Sequence, residues 1–197
     1  MSLMRRRELL TRSASALLAA TLAPAGRLAH ADTPGHRSLE LDKLTVQRSD
    51  DGLLLSYSAR FDLPRDLEQA MIKGVGVVFV AEAEVFRTRW YWTDELLGSA
   101  TRRWRLAYQP LTRRWRLSLE GLSRHYTTLP DALNALRSTD SWRIADPIPA
   151  SSDQDHYVDF RFRLDTDELP RPLQIGLGGL STWNMDVRRR VAVGPAR

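Results

Sequence analysis

Four arginines stand out by type and spacing. Arg103 and Arg105 flank Trp104, and Arg114 and Arg116 flank Trp115, with Gln109-Pro110-Leu111-Thr112 between the two strings. Strict alternation is the period of a strand, so the stretch reads as a hairpin. Trp104, Leu106, Trp115 and Leu117 take one face, and the four arginines take the other. A guanidinium makes paired hydrogen bonds to carboxylate or phosphate, so this face is a candidate anion site. Crowded like charge destabilises a sheet unless a counter-charge is near. One source is internal. If the strand within 75–92 pairs with 97–109, Glu84 falls close to Arg105, with Glu82 beside it. Exposed ion pairs of that kind contribute only about 0–1 kcal/mol each. The other source is external: a phosphate, a carboxylate or the acidic face of a partner.

Trp90 and Trp92, with Tyr91 opposed, border this stretch in the sequence. Read as a surface, they make an aromatic recognition patch, because interfaces are enriched in Trp, Tyr and Arg. Read as core, they pack under a helix. Exposure of both indoles decides between the two. Asp94-Glu95 are neighbours, and neighbours on a strand point to opposite faces. They are therefore expected to end a strand or to hold Arg89 or Arg102, not to work as an acid–base pair.

Other constellations assign nothing. Asp153-x-Asp155-His156 and Asp165-x-Asp167-Glu168 lack the glycine and terminal glutamate of a calcium loop, and read as turn and cap carboxylates. Ser123-Arg124-His125 lacks a nucleophile elbow. There is no phosphate-binding loop, dinucleotide fingerprint or helical zinc-protease motif. With no cysteine, disulfide scaffolds, thiolate metal sites and cysteine nucleophiles are excluded. No catalytic residue, metal ligand or cofactor is assigned.

The elements that must carry these residues lie in a chain of 197 residues. Residues 1–31 have a charged start, an apolar run from Ser13 to Gly26, and Ala29-His30-Ala31 as a small-x-small cleavage pattern. This is a secretory signal, too short to span a bilayer. Arg6-Arg7-Glu8-Leu9-Leu10 fits the twin-arginine form, with a general secretory signal as the alternative. Cleavage after Ala31 would leave the protein in the periplasm without a stable membrane anchor. The leader holds five arginines against one glutamate, so without it the balance is 24 basic to 23 acidic residues. That argues against nucleic acid as a partner.

Residues 32–37 read as a loose leader and 38–197 as one β-rich domain. Ser38–Arg48 is expected as a strand with a bulge near Asp42-Lys43, turning at Asp50-Asp51-Gly52 into an alternating strand, Leu53 to Phe61. A short helix over about 64–74 opens at Pro64, with Asp62 as its cap. Val75–Trp92 begins apolar on both faces, as a covered central strand does, and Thr93-Asp94-Glu95 reads as a turn. A second helix is expected over 129–137, then a brief strand at Ser141–Ile144 and a loop at 146–154. A strand Val158–Leu164 follows, then a rigid link Leu169–Leu173 and a strand pair within Gln174–Val187. The expected fold is mainly β: a twisted antiparallel sheet or a β-sandwich with two short helices.

Arg89-Trp90-Tyr91-Trp92-Thr93-Asp94-Glu95, the two Arg-Trp-Arg strings, Leu129-Pro130-Asp131-Ala132-Leu133 and Leu169-Pro170-Arg171-Pro172-Leu173-Gln174 together resemble an uncharacterised bacterial family, domain of unknown function 4390. The likeness runs from about Leu39 to Trp183, with Asp186-Val187-Arg188 departing from the expected Ser-rich end. It implies an exported protein, with a gene often beside a membrane sensor kinase. The expectation is a non-catalytic periplasmic binding or interaction protein, accessory to an envelope sensor. The alternatives are an envelope hydrolase using Glu82, Glu84 or Asp94, and a carrier of an apolar ligand. The expected contact residues are Arg103, Arg105, Arg114, Arg116, Trp90 and Trp92, and the expected partner is an envelope protein or an anionic ligand. Oligomeric state stays open.

Overall fold

The computed structural model describes residues 39–149, 155–169 and 185–194. The expected signal (1–31), leader (32–37), Asp153, the link 170–173 and the segment 174–184 lie outside the described residues.

Strands β1 (Glu40–Ser49) and β2 (Gly52–Arg60) form the expected hairpin, with the register shift between Leu41 and Lys43. Gly52 has φ 135°, and a Cβ there would fall 2.3 Å from the Ala145 carbonyl oxygen, so the turn needs glycine. Leu53, Leu55, Tyr57, Ala59 and Phe61 are all buried, as their shared phase predicts. Helix α1 (Arg65–Ile72) is shorter than expected. Its N-cap is Pro64, with no side-chain cap bond, and Asp62 instead lies 3.8 Å from Arg137. Strand β3 (Val77–Arg87) is the covered centre, with β4 (Glu95–Gln109) on one side and β8 (His156–Leu164) on the other. Val77 to Ala81 are buried without a break, which explains why both faces there are apolar.

Strand β4 continues into β5 (Arg114–Leu119) and β6 (Leu122–Tyr126). Helix α2 (Leu129–Arg137) follows, capped by Thr128, whose hydroxyl accepts from the Asp131 N–H. Strand β7 (Ser138–Ala145) is longer than the expected 141–144, and β9 is Asp186–Ala192. Two antiparallel sheets result, ordered β1-β2-β7 and β6-β5-β4-β3-β8-β9, and neither closes into a barrel. Their inner faces share one core, in which Tyr57 meets Phe160 and Phe162 with ring centroids 4.9 and 5.7 Å apart. The sandwich alternative is therefore the one realised. No described helix is long and apolar enough to cross a membrane.

Candidate functional site

Residues paired directly across strands share a face, so the register of the six-stranded sheet fixes what its outer side presents. Arg105 sits opposite Val78 on β3 and Ser118 on β5. Arg103 is opposite Val80, Arg116 is opposite Ala107 and His125, and Arg114 is opposite Gln109. All four predicted arginines are on the outer face, while Trp104, Leu106, Trp115 and Leu117 are buried on the inner one. No arginine of the hairpin faces another directly. Offset by register, they face neutral partners, which removes the repulsion expected from the sequence alone.

The internal counter-charge comes from elsewhere than expected. Glu84 pairs in register with Ser99, six strand positions from the Val78–Arg105 pair, and does not meet Arg105. Glu82 serves β8, lying 3.3 Å from Arg163 and 3.8 Å from Arg161. Arg103 is instead held by two carboxylates beyond the end of β8, Asp165 at 2.8 Å and Glu168 at 2.7 Å. Glu168 also lies 3.8 Å from Arg105. Among the described residues, no carboxylate forms an ion pair with Arg114 or Arg116, and Arg116 donates only to the Ser123 hydroxyl at 3.1 Å.

The same face continues across β8 and β9. Val80 also pairs with Arg163, and Glu82 with Arg161. Arg161 in turn is opposite Arg188, and Asp159 is opposite Arg190. These arginines were missed because β8 and β9 are far from the hairpin in sequence and only the register joins them. Here like charges do stand opposite, and Asp186 lies between them, 2.5 Å from Arg161 and 3.9 Å from Arg188. The Arg161 guanidinium holds the Asp186 carboxyl below the usual carboxylate range. Arg190 and Asp159 form a bidentate pair, both bonds 2.8 Å. A cleft of about 400 Å³ opens between Arg161, Arg188, Arg190 and Glu82. Lys43 and Lys73 are the only lysines of the chain, so every basic side chain on this face other than His125 is a guanidinium.

Trp90 and Trp92 are not on a strand. They lie in the connection from Thr88 to Asp94 that joins β3 to β4, and are 92% and 73% exposed. The core-packing alternative is thus overturned. At about 3.3 Å per residue, β4 carries the chain roughly 30 Å from this loop to Arg105. The indoles therefore do not border the hairpin arginines, and the six expected contact residues form two separate regions. Asp94 and Glu95 hold Arg89, one of the two arginines expected, while Glu95 opens β4 instead of lying in the turn. Asp94 accepts from the Arg89 N–H at 3.2 Å and from the Tyr157 hydroxyl at 2.7 Å. Glu95 accepts from both Arg87 and Arg89. These bonds hold both carboxyls below their ordinary range, and the bond to Asp94 pushes the Tyr157 phenol up.

Among the described residues no group of His, Asp or Glu is arranged to hold a metal ion. A two-sheet antiparallel sandwich with an arginine-studded outer face and an aromatic loop at one end defines the class of protein. The chain belongs to the family described as Domain of unknown function (DUF4390), whose profile matches residues 36–192. No curated protein and no solved structure matches it.

Proposed function

We propose that this is an exported, periplasmic, non-catalytic interaction protein whose outer sheet face binds an acidic partner in the cell envelope. One observation carries the reading: the β4–β5 hairpin projects Arg114 and Arg116 with no carboxylate of the described chain to match them, beside an Arg105 whose nearest carboxylate is 3.8 Å away. Unmatched guanidiniums on a rigid sheet are pre-organised for carboxylate or phosphate and steer an anionic partner on approach. The filled aromatic centre between the sheets favours this reading over a carrier of apolar ligands. Asp94 and Glu95 are occupied by loop bonds and Glu82 by two arginines, which favours it over a carboxylate hydrolase. Export rests on the leader, and an envelope sensor is the partner class the family likeness suggests.

The experiment is a double change, Arg105→Gln with Arg114→Gln, followed by capture from envelope extracts over a salt gradient. The expected result is a folded variant that loses the partner retained by the parent, with parental retention weakening as salt rises through the physiological range. Unchanged retention in the variant would remove the site. Replacing Arg6 and Arg7 by Lys tests the route of export. Cytoplasmic retention assigns the twin-arginine path, and normal export assigns the general one.

A further inference from the structure

The aromatic loop has no role in that reading, being roughly 30 Å from the hairpin arginines along β4. We infer that Trp90, Tyr91 and Trp92 form a docking tip for the headgroup layer of a lipid bilayer, independent of any partner on the arginine face. Three consecutive aromatic side chains are held out from the end of the sandwich, 92%, 67% and 73% exposed. Trp and Tyr are the side chains that settle at the membrane–water boundary, with an apolar ring and a polar edge. Leu96, 52% exposed, stands on β4 two residues past Asp94.

The base of the loop argues for the same occupant. Its charges cancel internally. Glu95 takes Arg87 and Arg89, and Asp94 takes the Arg89 N–H and the Tyr157 hydroxyl. The Thr88 N–H is satisfied by the Asp155 carbonyl at 2.9 Å. Little unpaired charge is left to strip of water when the tip enters a headgroup layer, and the backbone is pinned, so docking orders little that is not already ordered. Size weighs against a second copy of the chain. Aromatic side chains present about 150–250 Å² each, so the tip offers roughly 500 Å². A stable protein interface needs about 800 Å² per partner. The indoles also stand largely clear of the chain, so a protein partner would have to supply a groove to cover them.

The test uses the full chain with vesicles of zwitterionic phosphatidylcholine, which give the arginine face no net charge to bind. Brominated phosphatidylcholine quenches only indoles in direct contact with lipid. Residues 1–31 contain no tryptophan, so a leader that touches lipid contributes no signal. Trp104, Trp115 and Trp142 are buried and beyond reach, and Trp183, outside the described residues, is replaced by Phe in the parent and in every variant so that it adds no signal. The parent is expected to be quenched, with the quenching unchanged as salt rises. Trp90→Ala with Trp92→Ala is expected to lose most of that quenching while keeping the parental circular dichroism. Trp90→Phe with Trp92→Phe should still sediment with vesicles more than the alanine pair does. An unquenched parent, or quenching that survives the alanine pair, would overturn the proposal. So would a concentration-dependent dimer that the alanine pair abolishes in the absence of quenching, which would assign the tip to a second copy. Loss of partner capture in the arginine variant leaves these readouts unaffected, so the two proposals fail separately.

Discussion

Trp104, Trp115 and Trp142 are 3%, 6% and 5% exposed, whereas Trp90 and Trp92 are 92% and 73% exposed. The same side chain serves opposite ends within one sandwich. The buried three sit on the inward phase of β4, β5 and β7, where each Trp is one member of an alternating series facing the other sheet. The exposed two sit where alternation stops. The β3–β4 ladder ends at the Arg87–Glu95 pair, and Asp94 then ties the chain back through the Arg89 N–H. Hydrophobicity alone does not bury a residue; membership of a ladder with a covered face does.

That comparison breaks most sharply on truncation. Trp104 packs its ring against Tyr57 and Phe162, with centroids 6.5 and 6.4 Å away, and Phe160 lies under Tyr57. Trp104→Ala or Phe160→Ala should each lower stability by about 3–5 kcal/mol in urea unfolding, through lost burial and a residual cavity. Trp90→Ala should stay within about 0.5 kcal/mol of the parent, as surface positions do. Equal losses at Trp104 and Trp90 would mean that the loop is part of the cooperative core.

A second contrast lies within the outer face. Arg161 holds Asp186 through both Nε and a terminal nitrogen and also reaches Glu82 at 3.8 Å, with a third of its side chain exposed. Its replacement by Ala leaves Asp186 with Arg188 at 3.9 Å and the field of its cross-strand partner Arg163, and should cost about 1 kcal/mol, the upper range of a partly exposed pair. Arg114, with no carboxylate, should cost less than about 0.5 kcal/mol on change to Gln. The measurement is the difference in urea midpoint between the two variants. A costlier Arg114 would show that the hairpin arginines serve the sheet, which would weaken the case for a partner.

The fold was legible where local chemistry and tertiary context agree. The β1–β2 hairpin with its bulge, the doubly apolar start of β3, helix α2 with its Thr128 cap and the alternation of β8 all follow from period, turn and cap residues. Strand β6 was not legible, because Leu122–Tyr126 is an edge strand with no buried residue and hence no apolar phase. Asp62 failed as a cap because it sits two residues before the Pro64 N-cap and near Arg137. For the site, parity placed the four hairpin arginines on one face correctly. Register decided everything else. The bulge between Val85 and Phe86 and the seven-residue connection shift β4 against β3, so Glu84 meets Ser99 instead of Arg105. Asp165 and Glu168, which do meet Arg103, lie 62 and 65 residues away in sequence, beyond the reach of any local pattern.

The smallest expected effect is on the loop's own anchor. Tyr157 donates to Asp94 at 2.7 Å, and this bond is the main cause that holds the Asp94 carboxyl below its usual range, ahead of the Arg89 N–H. A depressed folded-state value means that the anchor is fully present above the unfolded carboxylate range near pH 4 and is lost as pH falls through the folded value. At neutral pH acidification by one unit should therefore change nothing. Below about pH 4 the indole N–H signals of Trp90 and Trp92 should begin to sharpen as the loop is released. Tyr157→Phe removes the donor while keeping the ring that stacks on Phe86 at 5.3 Å and lies under Arg190 at 4.0 Å. In this variant the Asp94 carboxyl carbon should titrate at higher pH than in the parent, and the loop should loosen earlier on acidification. An unmoved titration would transfer the anchoring role to the Arg89 N–H. The loop would then be pinned by backbone geometry alone, and its tie to the β8 strand would be incidental.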